Sequence, residues 1–133
     1  MNIDTPQVDG FLLDTTALID FFRGDKKTTV LLEVLKEKAP LASCAITIAE
    51  VFAGTREKEI PKVEQFLSTL KFYSIDYQTA RLAGCWRYSY ARQGITISIA
   101  DALIAAVAVQ NNLALVTRNV RHYPMKELIV ILH

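Results

Sequence analysis

Three acidic residues stand in apolar sequence, where an unpaired carboxylate is costly. Asp101 is the one charged residue in SIADALIAAVAVQ (98–110), Glu50 is the one charged residue in AITIAEVFAGT (45–55), and Asp14 ends the apolar run FLLD. Converging carboxylates repel one another unless a cation lies among them. An all-oxygen donor set suits Mg²⁺ or Mn²⁺ rather than zinc. The hypothesis is therefore a divalent cation that activates water for attack on a phosphodiester.

Each acid also has a purely structural explanation, and the sequence leaves these explanations open. Asp14 could cap the helix that follows it, because aspartate is a common N-cap residue. Glu50 could lie on the exposed face of its helix. Asp101 could pair with a capping Ser98 or interact with the partial positive charge of the helix N-terminus.

The elements that must position these acids follow from hydrophobic patterning and from turn residues. Strands are predicted at 11–14, 41–44, 71–75, 113–117 and 128–132. Helices are predicted from Thr15 to Gly24, at 28–38, 46–59, 61–70 and 76–94, and from Ser98 to 110. Strands that alternate with helices predict a parallel sheet covered on both faces, a three-layer α/β/α domain. Such sheets bind ligands at the carboxyl ends of their strands. Asp14 is predicted there, and Glu50 and Asp101 near the starts of helices.

Length and composition indicate one folded domain over residues 1–133. The chain has 51% hydrophobic residues, 22% charged residues and a net charge of +1, which excludes disorder and a strongly basic nucleic-acid coat. Cys44 and Cys85 lie among apolar neighbours and are expected to be free core thiols in a reducing compartment. With neither a secretory signal nor a long apolar run, we expect a cytoplasmic protein with no membrane segment.

Four blocks then suggest a family. LLDTTALIDFFRG, TIAEVFAG, GITISIADALIAAVAVQNN and LALVTRNVRHY resemble, in order and spacing, the blocks of PIN-domain ribonucleases, and most closely the VapC-type toxins, over residues 11–131. The resemblance implies a PIN-like α/β/α fold and a Mg²⁺- or Mn²⁺-dependent endoribonuclease that acts as the toxin of a type II toxin–antitoxin pair. It assigns metal binding and catalysis to Asp14, Glu50 and Asp101.

The resemblance also assigns supporting residues and partners. Thr15 and Ser98 match hydroxyl residues that support the acids. In the last block, Thr117, Arg118 and Asn119 are candidates for supporting the site or contacting substrate: Arg118 could meet a phosphate or be ordinary surface charge, and Asn119 could offer a carbonyl oxygen to the cation or be a turn residue. The implied partners are RNA, a cognate antitoxin and a second copy of the chain. The apolar faces of TTALIDFF and TTVLLEVLKEK are candidate walls of the antitoxin groove, and core packing explains them equally well.

One departure from the family pattern bears on activity. Many relatives carry a fourth acid at the position of Asn119 or of His122, and neither residue is acidic here. Fewer carboxylates weaken metal binding, so we expect one tightly held cation and a second that arrives only with substrate. The alternative is a catalytically weak or inactive PIN-fold module that binds RNA or protein.

Other phosphate-handling classes fit the sequence less well. A haloacid dehalogenase-type phosphatase needs a second aspartate two positions after the first, where this chain has Thr16. A response-regulator receiver domain needs paired early acids and a late lysine, and a Rossmann dinucleotide site needs a glycine-rich first turn. The chain supplies neither pattern.

Overall fold

A computed structural model describes residues 7–133, so residues 1–6 of the predicted 1–133 domain lie outside the described part. The strands are β1 (Gly10–Leu13), β2 (Leu41–Cys44), β3 (Lys71–Tyr73), β4 (Leu113–Thr117) and β5 (Ile129–Leu132). The helices are α1 (Thr15–Phe22), α2 (Lys26–Lys36), α3 (Ala45–Ala53), α4 (Ile60–Leu67), α5 (Tyr77–Ala91) and α6 (Ile99–Gln110). Short 3-10 helices span Glu57–Glu59 and Val120–His122. Over residues 7–133, no helix combines the length and apolarity needed to cross a membrane.

All five strands run parallel in the order β3-β2-β1-β4-β5. The central pair is β1 and β4, in which Leu13 lies opposite Val116. Their pairing places the residue after β1, Asp14, beside the last residue of β4, Thr117. Both therefore lie at the carboxyl edge of the sheet, where α/β proteins bind ligands.

Alternating side chains of the central strands build a core on each face of the sheet. Phe11, Leu13, Ala114 and Val116 pack with apolar residues of α1, α2, α3 and α4. Leu12, Leu113 and Leu115 pack on the opposite face with α5 and α6. Because helices cover both faces, both sides of each central strand can be apolar. The predicted three-layer α/β/α fold is confirmed.

Polar caps begin the two helices that cover the second face. The Asp76 carboxylate accepts a hydrogen bond from the Thr79 amide at 2.9 Å, and Ser98 Oγ accepts one from the Asp101 amide at 3.0 Å. Each bond satisfies an amide that the first turn of a helix leaves unpaired. The predicted caps of α5 and α6 are therefore confirmed, and the cap of α6 fixes where Asp101 lies.

The prediction of one helix over 46–59 is wrong beyond Ala53. Helix α3 ends there with Gly54 as its C-cap. The chain is extended at Arg56, with ψ of 149°, before the 3-10 turn Glu57–Glu59 begins. Charged residues after Gly54 offer no apolar face to the sheet, so packing does not extend the helix.

The two cysteines occupy different environments. Cys44 is buried at the end of β2, whereas Cys85 is exposed on α5, and both are free thiols. The expectation of two core thiols is therefore wrong for Cys85. Its neighbours in sequence are apolar or aromatic, but the helical turn directs Ala83 and Trp86, not Cys85, into the core.

Candidate active site

Asp14 lies at the junction of β1 and α1, almost fully buried at 5% exposure. One carboxylate oxygen, Oδ1, accepts a hydrogen bond from the Thr15 amide at 2.8 Å. The other, Oδ2, accepts one from the Thr117 hydroxyl at 2.6 Å. Asp14 is also the N-cap residue of α1, so its capping role and a site role coexist. The two hydrogen bonds fix the orientation of the carboxylate.

Thr15 connects Asp14 to the second acid. Its hydroxyl donates to Glu50 Oε1 at 2.5 Å, and its amide contacts Asp14. Glu50 projects from α3, which follows β2, and is exposed. The same short segment at the start of α1 therefore links two acids that are far apart in sequence.

Asp101 lies in the first turn of α6, behind the Ser98 cap. Its Oδ1 accepts a hydrogen bond from the Tyr123 hydroxyl at 3.2 Å. Its Oδ2 lies 3.3 Å from Nδ1 of His122, whose side chain is half-exposed. The loop after β4, which contains both His122 and Tyr123, therefore reaches Asp101 through two side chains.

Tyr123 holds Asp101 from the core side. Its ring is buried in the core between the sheet and α6. Burial raises the pKa of the phenol well above its usual value, and the negative charges of Asp14 and Asp101 act in the same direction. The hydroxyl is therefore a neutral donor to Asp101. Sequence reasoning missed this residue, and its only signal was a hydroxyl-bearing aromatic at the end of the fourth block.

The donor chemistry of this edge fits a hard divalent cation. Among the ion pairs of residues 7–133, none involves Asp14 or Glu50. Thr15 links Asp14 to Glu50, and Tyr123 contacts Asp101, but in the described part no three Asp, Glu, His or Cys side chains lie close enough to form a closed metal site. The acids nevertheless supply a row of carboxylate oxygens, the ligand type that Mg²⁺ and Mn²⁺ prefer.

The remaining predicted residues take different positions around this row. Ser98 contacts the amide of Asp101 rather than its carboxylate. The backbone N–H of Asn119 donates to Thr117 Oγ1 at 3.0 Å. Asn119 thereby supports the threonine that holds Asp14. Nη1 of Arg118 donates to both carboxylate oxygens of Asp20, at 2.9 and 2.8 Å. This ion pair directs the guanidinium toward α1.

A second polar cluster missed by sequence reasoning lies behind Arg118. The His133 ring is almost fully buried and lies 3.7 Å from Asp20. Its two nitrogens contact the hydroxyls of Thr16 at 3.3 Å and Thr28 at 3.2 Å. Burial lowers the pKa of His133, which favours the neutral imidazole. The cluster ties the end of β5 to α1 and α2.

Two clefts flank the acids. One, of about 330 Å³, is lined by Glu50 together with Arg23 and Arg56. The other, of about 350 Å³, is lined by Asp101, His122 and Arg121 among others. Each cleft thus combines an acid of the site with at least one arginine, an arrangement that can contact an anionic polymer on both sides of the carboxylates.

Comparisons with known proteins agree on one family. Residues 11–128 match the PIN domain. The chain is similar to Ribonuclease VapC19 of Mycobacterium tuberculosis, with 35% identity over 115 residues that cover 86% of this chain and 92% of that protein. Its fold is similar to that in the structure of VapBC2 from Rickettsia felis bound to a promoter DNA fragment, with a TM-score of 0.83, 25% identity and coverage of 93% and 98%. It is also similar to a chain of a toxin–antitoxin complex from Klebsiella pneumoniae, with a TM-score of 0.76, 28% identity and coverage of 90% and 94%.

Proposed function

The chain belongs to the PIN-domain family and to its VapC-type ribonucleases, and on that premise we propose that Asp14, Glu50 and Asp101 bind Mg²⁺ or Mn²⁺ for the cleavage of RNA. In this proposal the chain acts in the cytoplasm, where RNA is found, as the toxin of a type II toxin–antitoxin pair. The observation that carries the proposal is that Thr15 contacts both Asp14 and Glu50 at the carboxyl edge of the sheet. The Tyr123 hydroxyl donates to the third acid, Asp101.

The residues of the site divide the work between binding and positioning. Asp14 and Asp101, which the fold holds most firmly, are the principal ligands, and the exposed Glu50 completes the donor set. A cation held by these acids would supply a lowered pKa for a bound water molecule and neutralisation of phosphate charge. Thr15 and Thr117 keep the carboxylates oriented through the hydrogen bonds described above.

RNA binding is supported by the arginines of the two clefts. Arg23 and Arg56 line the cleft beside Glu50, and Arg121 lines the cleft beside Asp101. An RNA strand that crosses the acids would meet positive charge on both sides. The scissile phosphate would then be held at the carboxylates. The net charge of +1 makes this attraction local rather than a property of the whole surface.

The antitoxin site that we propose is an apolar groove beside α1. Phe21, Phe22 and Phe66 form an aromatic cluster, with ring centroids 4.3 Å apart for the stacked pair Phe21–Phe66. They line a cavity of about 540 Å³ together with Thr29 and other residues. The groove lies between α1, α2 and α4, where the antitoxin was expected. A helix with large apolar anchors fits a groove of this kind.

We also propose that the chain forms a homodimer. Tyr88 on α5, Ile95 in the following loop and Ile99 at the start of α6 are exposed large apolar residues. All three lie on or between α5 and α6, which pack against each other, and exposed apolar side chains are typical of association surfaces. Light scattering over a range of concentrations tests the dimer, and a monomer at every concentration contradicts it.

The central experiment is an RNA cleavage assay with Mg²⁺ or Mn²⁺ and with EDTA. The Asp101→Asn variant is compared with Glu33→Gln, which removes one negative charge from an exposed position on α2. We expect Asp101→Asn to lower cleavage by at least about 100-fold, because loss of a metal ligand exceeds the 10–100-fold cost of losing an outer-shell partner. Glu33→Gln should cleave as the parent chain does.

Each result of the assay has a defined meaning. Equal cleavage by Asp101→Asn and by Glu33→Gln would remove Asp101 from the site. A parent chain that binds RNA but leaves it intact with every divalent ion would favour the non-catalytic module. Neither Asn119 nor His122 supplies the fourth acid that many relatives carry. For that reason the non-catalytic module is the alternative to be tested.

A further inference from the structure

Tyr123 occupies a position that its packing alone does not explain. Its ring belongs to the core beside α6 and is 5% exposed, a role that phenylalanine could fill. The hydroxyl, however, donates to the Asp101 carboxylate.

The hydroxyl completes the set of contacts on Asp101. Both oxygens of the buried Asp14 accept hydrogen bonds, from Thr15 and from Thr117. On the partly exposed Asp101, Oδ2 contacts His122 and Oδ1 accepts only from Tyr123 among the described contacts. Removing the phenol oxygen therefore releases Asp101 Oδ1.

We propose that the Tyr123 hydroxyl is a positioning group that holds the Asp101 carboxylate in the orientation in which it binds a divalent cation together with Asp14. The inference rests on the proposed function, because it assumes that these acids bind a cation. Carboxylate ligands oriented by a hydrogen bond lose less freedom when a cation binds, and loss of such partners typically weakens metal binding 10–100-fold. A hydroxyl donor can do this without adding charge to the site.

The structure offers a matched control in Tyr90. Its hydroxyl donates to the carbonyl oxygen of Pro124 at 3.2 Å. Pro124 is the residue that follows Tyr123 in sequence. The Tyr90 ring packs against the same core. Tyr90→Phe therefore removes a phenol hydroxyl from the same region without removing a contact to an acid, whereas Tyr123→Phe removes the hydroxyl that donates to Asp101.

The test measures Mn²⁺ binding to the full chain by electron paramagnetic resonance and by calorimetry, without RNA. We expect Tyr123→Phe to raise the Kd for Mn²⁺ by about 10-fold and Tyr90→Phe to leave it within about 2-fold of the parent value. In the cleavage assay, the half-saturating Mn²⁺ concentration should rise by a similar factor for Tyr123→Phe. Saturating Mn²⁺ should restore most of the rate.

The outcomes separate this inference from the function on which it rests. If the parent chain binds Mn²⁺ and Tyr123→Phe binds it equally well or more tightly, the positioning role is wrong and the metal site stands. If the parent chain binds no Mn²⁺, both proposals are wrong. Thermal unfolding of both variants checks folding, and a loss of Mn²⁺ affinity shared equally by Tyr90→Phe would assign the effect to packing and overturn the inference.

Discussion

The hydroxyl of Thr117 offers the most direct test of how the fold holds Asp14. Thr117 is fully buried at the end of β4. Its Oγ1 donates to Asp14 Oδ2 at 2.6 Å and accepts from the Asn119 amide at 3.0 Å. Substitution Thr117→Val keeps the branched shape of the side chain but replaces the hydroxyl by a methyl group. One change therefore removes two hydrogen bonds at the candidate site.

The expected loss of stability follows from these two bonds. A hydrogen bond to a charged group contributes about 1.5–3 kcal/mol and one between neutral groups about 0.5–1.5 kcal/mol. The added methyl group returns about 0.8 kcal/mol of apolar burial. The net loss in the free energy of unfolding should be about 2–3 kcal/mol, which for a chain of this length lowers Tm by about 10 °C. The Kd for Mn²⁺ should rise about 10-fold.

Urea-induced unfolding in EDTA, followed by circular dichroism, measures the first effect, and Mn²⁺ titration measures the second. Thr117→Ser keeps the hydroxyl and should keep the Mn²⁺ affinity, while losing about 1 kcal/mol for the missing methyl group. Thr47→Val is the second control, because Thr47 is equally buried but its hydroxyl contacts only Cys44. It should lower stability without changing Mn²⁺ affinity. If Thr117→Val were as stable as Thr117→Ser and bound Mn²⁺ equally well, the reasoning would be refuted.

Three further predictions address the surroundings of the site. Arg118→Ala should lower RNA affinity less than Arg121→Ala, because Asp20 already holds Arg118; filter binding at several salt concentrations measures both, and the reverse order would contradict the assignment. The lowered pKa of His133 means that the unfolded chain takes up a proton near pH 6.5 that the folded chain does not. Stability should therefore be greatest above that pH and fall on acidification through the folded-state pKa, and a His133→Gln variant with the same decline would exclude this cause. His122→Asp adds a carboxylate beside Asp101 and should bind Mn²⁺ more tightly than His122→Ala by calorimetry; equal affinities would show that residue 122 does not face the cation.

Helices and strands could be predicted from the sequence where local signals and tertiary packing agree. The strand residues 113–116 are apolar and are followed by Thr117, as expected for a central parallel strand, and β4 has the predicted bounds 113–117. The N-caps Asp76 and Ser98 identified where α5 and α6 begin. The prediction failed after Ala53, where the local pattern permitted a helix but tertiary packing did not continue it. Local periodicity cannot detect that loss of a packing surface.

The residues of the candidate site also fall into those that could be selected from sequence and those that could not. Asp14, Glu50 and Asp101 could be selected because a lone acid in apolar sequence requires a partner, and their assignment as ligands stays a prediction. Thr15 and Thr117 could be selected as supporting residues only through the family resemblance. Tyr123 was missed, since a tyrosine in a loop is unremarkable in sequence. Thr117 and Asp14 are 103 residues apart and meet only because β1 and β4 pair. The hydrogen bonds that orient the acids therefore depend on sheet register, and a variant that shifts the pairing of β1 with β4 should abolish metal binding with every acid intact.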